Sequence, residues 1–330
     1  MKRGWLFLPV LALASCSDGV KMEANGFTQG TTYHVSYYND GTDLQYQIDS
    51  LLLSFDRVLS TYQDNSYISK WNRNEHIPLE QPDLFKALLK RSTEIFESTE
   101  GALDITVAPL MSFWFENDWS AEKVDSLQVD SIMKHIGMKA VVLDGDDYAK
   151  IDPLIRLDVN AIAQGYSVDV LALYLESLGI TNYLVEIGGE VRASGTKSDQ
   201  QDWIVGIDLP NGENIERALT GSLALSNRSM ATSGNYRKFV VINGEKFGHT
   251  LNPKIGYPAT TDLLSVSVLA EDCMTADAYA TAFMVMGFER SKQFLTDQSG
   301  LDAVLIYSEG TGTGIWTTPA LDGKLTRPEL

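Results

Sequence analysis

The chain has 330 residues and a formal net charge of −18, from 26 Lys and Arg against 44 Asp and Glu. That balance excludes a nucleic-acid partner, whose phosphate backbone demands a basic face. An anionic ligand would need a local device such as a metal ion or a set of backbone N–H groups.

At the start, Lys2 and Arg3 form a positive n-region, residues 4–14 are apolar, and "LASC" (13–16) places small residues ahead of a cysteine. The apolar run is too short to span a bilayer, so residues 1–15 read as a secretory signal of the lipoprotein type. Cleavage before Cys16 would leave its thiol carrying lipid; the alternative is an ordinary signal with an incidental cysteine. Residues 16–25 are polar and read as a lipidated tether, with 26–330 as one domain. Cys273 is the only other cysteine, so it cannot form an internal disulfide and reads as structural. No later stretch approaches the roughly 20 apolar residues of a membrane span.

"TTYHVSYY" (31–38) alternates and predicts a strand, and "LQYQIDSLLLSFDRVLS" (44–60) has helical periodicity. A polar loop with a short helix follows in "TYQDNSYISKWN" (61–72). Pro82 opens and Gly101 closes a helix over 82–101, and a further helix is predicted over 124–137. "AVVLDGDDYAKI" (140–151) gives two strands about an Asp-Gly turn. "RLDV" (156–159) is strand-like and runs into a long helix over 161–179, followed by a strand in "NYLVEIGG" (182–189). Segments 203–210, 222–234, 238–251 and 263–270 are strands separated by turns. A helix over 275–287, a short one over 291–297 and a strand over 303–308 complete the order. Helices and strands mix without βαβ alternation. The expected class is α+β, one domain with mixed or antiparallel sheets flanked by helices.

Within this frame a few polar residues stand out. Asp277 and Thr281 lie four apart on one face of a nearly apolar helix. Asp277 could complement the helix dipole in a first turn and Thr281 could bond back to a helix carbonyl. Alternatively, both are oxygen donors suited to a hard cation such as Mg²⁺, with carbonyls, water or substrate phosphate completing its shell. "LDVNAIAQGYSVD" (157–169) offers Ala161, Ala163 and Gly165 for close backbone approach, at a helix N-terminus able to bind an anionic group or at a plain corner. Asp104, amid apolar neighbours in "GALDITVAPL" (101–110), should be partly buried and hydrogen-bonded. Gly188 and Gly189 make a weak phosphate loop, lacking both GxGxxG and a Walker Lys. Ser233, near Tyr236, lacks the G-x-S-x-G elbow of a hydrolase nucleophile. His249 sits where a strand opens into a turn built by Pro253, Gly256 and Pro258 and is either structural or a general base.

These segments in this order resemble the ApbE family of flavin transferases, many of them lipoproteins carrying palmitate. The resemblance runs from about Gln29 to Gly287 and rests on "GTTY", "STYQDNSYISKWN", "GALDITVAPL", "LDVNAIAQGYSVD", "VEIGGEVRASG", "ATSGNYRK", "GHTLNPKIGYP" and "ADAYATAFMVMG". It implies Mg²⁺-dependent cleavage of the FAD pyrophosphate, with Mn²⁺ as the alternative ion. FMN joins a Thr or Ser hydroxyl of an acceptor protein and AMP leaves. Carried over, Asp277, Thr281 and the Ala163 carbonyl are metal ligands. Gln29, Tyr62, Ala102, Leu103, Asp104, Asn160, Tyr166 and Leu251 line the flavin site, and His249 is the base. The implied partners are FAD, envelope acceptor proteins and, through the lipid, a membrane on the periplasmic side. Two departures stand out: Gln164 replaces the Lys of the usual "GGIAKG", and Gln29 stands where Met is usual. An FAD pyrophosphatase giving FMN and AMP, and a non-catalytic FAD-binding lipoprotein, are the competing expectations.

Overall fold

The structure is a computed structural model that describes residues 19–75, 81–116, 124–144, 147–210, 219–234, 239–242, 245–310 and 312–327. The predicted signal 1–15 and the Cys16 lipidation site lie outside the described residues, as does Tyr236. Strand β1 (Val20–Thr28) pairs residue for residue with β2 (Thr31–Asn39). The tether expected through residue 25 therefore gives way to sheet at Val20. The polar sequence hid this because β1 is an edge strand with one solvated face, where only Ala24 and Thr28 are buried.

Helices α1 (Gln45–Leu59), α2 (Tyr67–Asn72) and α3 (Pro82–Ser98) fall where their periodicity predicts them. Pro82 starts α3, whose buried stripe is Phe85, Leu88, Leu89, Ser92 and Ile95. Helix α4 (Ala108–Phe115) was not legible, since "APLMSFWF" is apolar almost all round and carries no period. Helix α5 (Ser126–Met133) is shorter than its predicted 124–137: Asp125 caps its start by accepting from Leu127 N–H at 2.9 Å, its last turn ends at Lys134, and a 3-10 turn follows at Met138–Ala140. Strands β3 (Val141–Asp144) and β4 (Asp147–Lys150) form the expected hairpin. "RLDV" is not a strand: Arg156 makes only an isolated bridge to Val107 before the chain enters α6 (Ala163–Ser177).

Strands β5 (Tyr183–Ile187) and β6 (Glu190–Ser194) are joined by Gly188 and Gly189, both at positive φ. The paired glycines thus serve a two-residue hairpin turn, whose twist matches the strands only with positive φ at both positions. The chain continues through β7 (Trp203–Asp208), β8 (Leu219–Leu225), β9 (Arg228–Gly234), β10 (Phe239–Ile242), β11 (Glu245–Gly248), β12 (Leu251–Asn252), β13 (Tyr257–Pro258) and β14 (Leu263–Ala270). Helix α7 (Cys273–Met286) begins two residues earlier than predicted, so Cys273 is its first residue, and Gly287 stops it at φ +77°. Helix α8 (Phe288–Asp297) and strands β15 (Asp302–Glu309) and β16 (Gly312–Thr317) follow.

The main sheet has eight strands in the order β1-β2-β5-β6-β9-β14-β15-β16, every neighbouring pair antiparallel. The α+β expectation holds. Helices α1 and α6 pack on the β2 and β5 side through Ile48, Leu52, Val168 and Leu171. Helices α7 and α8 cover β9, β14 and β15 through Phe283, Met284 and Leu295. The β7–β8 ribbon closes the opposite face with Trp203, Ile207, Leu223 and Leu225. Burying Phe283 and Met284 contributes about 1.5–3 kcal/mol each, enough to seat α7 even though that helix carries a buried carboxyl. No described helix is long and apolar enough to cross a membrane.

Candidate functional site

The site is built where α6 and α7 cross. Gly165, in the first turn of α6, lets the helices touch: a Cβ there would lie 2.3 Å from the Cys273 carbonyl oxygen and 2.7 Å from the Asp277 Cβ. The close approach anticipated at this glycine is therefore made by α7 itself. Gly165 N–H donates to Asp277 Oδ2 at 2.9 Å, so the anion at this helix N-terminus is a side chain of the protein.

Asp277 is not in the first turn of its own helix. Asp272 is the N-cap and accepts from Thr275 N–H at 2.8 Å, so the dipole explanation for Asp277 falls away. Asp277 is 6 % exposed and has no cation partner among the described residues. Burial pushes its carboxyl up to about 7, the Gly165 amide opposes the shift and the Asp169 carboxylate adds to it. Thr281 does not bond back into its helix; its Oγ1 meets Ser233 Oγ on β9 at 3.1 Å. Ala163 opens α6, which places its carbonyl in the same first turn as Gly165.

Asp277 and Thr281 lie one turn apart on α7, and Ala163 begins the turn of α6 that Asp277 contacts through Gly165; these are the oxygens that could hold a cation. They include a single carboxylate, and no cluster of three or more His, Cys, Asp or Glu side chains forms among the described residues. A buried acid with no cation partner among the described residues, with a hydroxyl one turn away and a main-chain carbonyl in the facing turn, could hold a hard divalent ion.

The other predicted residues are placed around this crossing in distinct ways. Gln29, at φ +51° in the β1–β2 turn, accepts from Ser167 Oγ of α6 at 3.2 Å. Tyr62 is 80 % exposed and lies beside Asn160 and Asp158; the Asn160 N–H donates to Asp158 Oδ1 at 2.9 Å. Ala102 and Leu103 are core side chains, so any ligand contact they make would be through backbone atoms. Asp104 is buried as expected, but its Oδ1 accepts from both Thr106 N–H at 2.8 Å and Thr106 Oγ1 at 2.5 Å, which fixes the loop. The Tyr166 ring is buried edge-on against Phe55, and burial pushes its hydroxyl up to about 12.

His249 lies in the bend between β11 and β12, partly buried. Leu251 is buried with Leu110, Trp114 and Val129, and Trp114 Nε1–H holds the Gly256 carbonyl at 2.7 Å. The excursion that carries His249 leaves the sheet after Gly234 and re-enters at Leu263, and Gly234 pairs with Ser265. It therefore departs from the end of the sheet where Ser233 meets Thr281.

Sequence reasoning did not anticipate three sets of contacts around the crossing. Asp169 accepts from the first two amides of α7 and from Arg192 of β6. Ser233, set aside as a nucleophile, is the partner of Thr281. Gln164 donates through Nε2 to the Ile187 carbonyl at 3.0 Å, against the Gly188 turn. Only the spacing of Asp169 to Gly165, one helical turn, could have signalled a role.

The profile of the ApbE family matches residues 29–305. A curated "FAD:protein FMN transferase" of Haemophilus influenzae is 34% identical over 317 residues, covering 92% of this chain and 91% of the relative. One of Vibrio cholerae is 34% identical over 299 residues, covering 87% and 89%. Among solved structures, "Flavin Transferase ApbE from Vibrio cholerae" superposes with a TM-score of 0.81 at 30% identity, covering 93% of this chain and 99% of that one. The apo flavinyl transferase ApbE of Pseudomonas stutzeri gives 0.80 at 30%, covering 92% and 96%. Overall fold and sequence agree over nearly the whole length, and the chain belongs to the ApbE family.

Proposed function

We propose that this protein transfers FMN from FAD to a Thr or Ser hydroxyl of acceptor proteins and releases AMP. The observation that carries the proposal is Asp277: a buried carboxylate on an apolar helix, beside Thr281 and held to the first turn of α6. The Gly165 amide donates to it, but no cation among the described residues balances its charge, and an unbalanced buried carboxylate is costly. The relatives named above act on FAD and protein, which supplies the substrate class.

In the reaction the acceptor oxygen attacks the FMN-side phosphorus, the bond to the AMP oxygen breaks, and the hydroxyl proton passes to His249. Asp277, Thr281 and the Ala163 carbonyl would hold Mg²⁺ or Mn²⁺. Such an ion supplies charge neutralisation of the pyrophosphate and stabilises AMP as leaving group. For Thr281 to offer a lone pair, its own proton must point away, and Ser233 Oγ at 3.1 Å can accept it. The exposed ring of Tyr62, beside Asn160, offers a face for an aromatic ring of FAD. Gln29, held by Ser167, closes the α6 side.

We extend the proposal to the envelope: Cys16 carries lipid and the domain faces the periplasm. Because β1 starts at Val20, the tether from Cys16 reaches at most about 14 Å. Strand β1 adds about 30 Å, so Gln29, just past its far end, would sit away from such an anchor.

The test is incubation with FAD, Mg²⁺ and a candidate acceptor, followed by in-gel flavin fluorescence and mass analysis. The proposal expects a fluorescent acceptor carrying the FMN mass. Free FMN and AMP with no labelled acceptor would replace it with a pyrophosphatase, and bound FAD with no AMP by a flavin-holding protein.

A further inference from the structure

Helix α7 is capped twice. Asp272 takes the Thr275 amide in the ordinary way. Asp169, reaching across from α6, takes the two amides before it: Cys273 N–H donates to Oδ1 at 2.9 Å and Met274 N–H to Oδ2 at 2.8 Å. One N-cap side chain is the usual provision for a helix start, so the second carboxylate does more than begin the helix. It fixes where α7 sits along α6.

The fixing is mutual. Asp169 of α6 holds the first turn of α7, and Asp277 of α7 holds the first turn of α6 through Gly165. Asp169 is itself pinned. Arg192 Nη1 of β6 donates to its Oδ1 at 2.8 Å, and Arg192 Nη2 donates to Glu176 Oε1 at 3.1 Å. Glu176 also accepts from the Tyr183 hydroxyl of β5 at 2.5 Å. The side chain of Asp169 is 5 % exposed and that of Arg192 18 %, so solvent screens the pair little. A line of contacts therefore runs from the sheet through Arg192 and Asp169 to the N-terminus of the helix that bears Asp277 and Thr281.

We propose that Asp169, pinned by Arg192, is a positioning residue for the cation site: it sets the height of α7 against α6 so that the Asp277, Thr281 and Ala163 oxygens converge. This rests on the cation reading given under Proposed function. A cation drawing on the Asp277 carboxylate weakens its hold on Gly165, and Asp169 is then what keeps the helices in register. Gly165 allows the approach, and Asp169 selects one position within it.

The test compares Asp169→Asn, Arg192→Gln, Arg192→Lys and Asp277→Ala with the parent. Three quantities are read: the rise in melting temperature across a MgCl₂ titration, the Mg²⁺ concentration giving half-maximal transfer, and metal-free FAD binding by flavin fluorescence quenching. Asp169→Asn is expected to raise the half-saturating Mg²⁺ by about 10–100-fold, the range for losing a group that orients a metal ligand, with FAD binding unchanged. Arg192→Gln should move Mg²⁺ affinity in the same direction and Arg192→Lys should restore most of it. Equal melting-temperature losses at every Mg²⁺ concentration, with half-saturation unmoved, would reduce Asp169 to a helix cap and overturn the inference. If Asp169→Asn does not fold, Arg192→Gln decides by the same readouts. Loss of the Mg²⁺ response in Asp277→Ala with none in the other variants overturns only the positioning role; an intact response in Asp277→Ala overturns the cation reading itself.

Discussion

Gly165 and Asp277 define each other: the glycine amide donates to the carboxylate at 2.9 Å, and the missing Cβ is what lets the carboxylate arrive. A helix N-terminus normally left for solvent or ligand is here closed by an acid from the neighbouring helix.

Gly165→Ala should separate the two. Its methyl would sit 2.3 Å from the Cys273 carbonyl oxygen, which is backbone and cannot swing away. The expected loss is about 1–3 kcal/mol of stability from overpacking. Transfer activity should fall further than stability does, because the donor set is spread. Denaturant unfolding and a transfer assay at a temperature where the variant is folded check both halves; unchanged activity would show that the helix spacing is not critical.

The metal-free protein should lose stability as pH rises. The Asp277 carboxyl is raised from 3.8 to about 7 by burial, so the folded state holds a proton that the unfolded chain has released. Its contribution is complete below about pH 4 and is lost as pH rises through about 7, in total about 4 kcal/mol. Asp277→Asn removes this dependence, and saturating Mg²⁺ flattens it in the parent by displacing the proton. Urea unfolding of both proteins at pH 5 and pH 8 measures the difference, and parallel pH profiles would contradict it.

His249→Ala should leave FAD binding intact and slow transfer by about 10²–10⁴, the range for losing a general base. The deficit should shrink at high pH, where hydroxide can take the acceptor proton. Fluorescence quenching and initial rates test the two statements. A variant as fast as its parent would return His249 to a structural role in its bend.

Gln164→Lys should tighten FAD binding by roughly fivefold, about 1 kcal/mol, by replacing a neutral donor with a charged one. The ammonium can keep the bond that the amide now makes to the Ile187 carbonyl. The gain should fade with added salt, and a salt-independent affinity would argue that residue 164 does not face the pyrophosphate.

Much of the fold was legible because its signals are local. The stripe of α3 between Pro82 and Gly101, the alternation of β2, the Asp-Gly hairpin of β3 and β4, and the Gly287 stop of α7 all act within a few residues. Strand β1 and helix α4 escaped for opposite reasons: one is an edge strand with a polar outer face, the other is apolar without period. The paired glycines 188 and 189 resembled a ligand loop, yet positive φ at both makes a tight strand turn.

The sequence alone determined which chemistry was available: an acidic chain, few histidines, and an Asp–Thr pair at helical spacing in an apolar helix. It could not decide what that pair faces, since Gly165, Asp169, Ser233 and Arg192 come from α6, β9 and β6. Only tertiary packing brought those groups to α7, and only burial turned Asp277 from a helix-end charge into an acid with no cation partner among the described residues. The physical reason is that desolvation and helix-to-helix capping depend on neighbours distant in the chain, whereas periodicity and turn chemistry depend on neighbours within it.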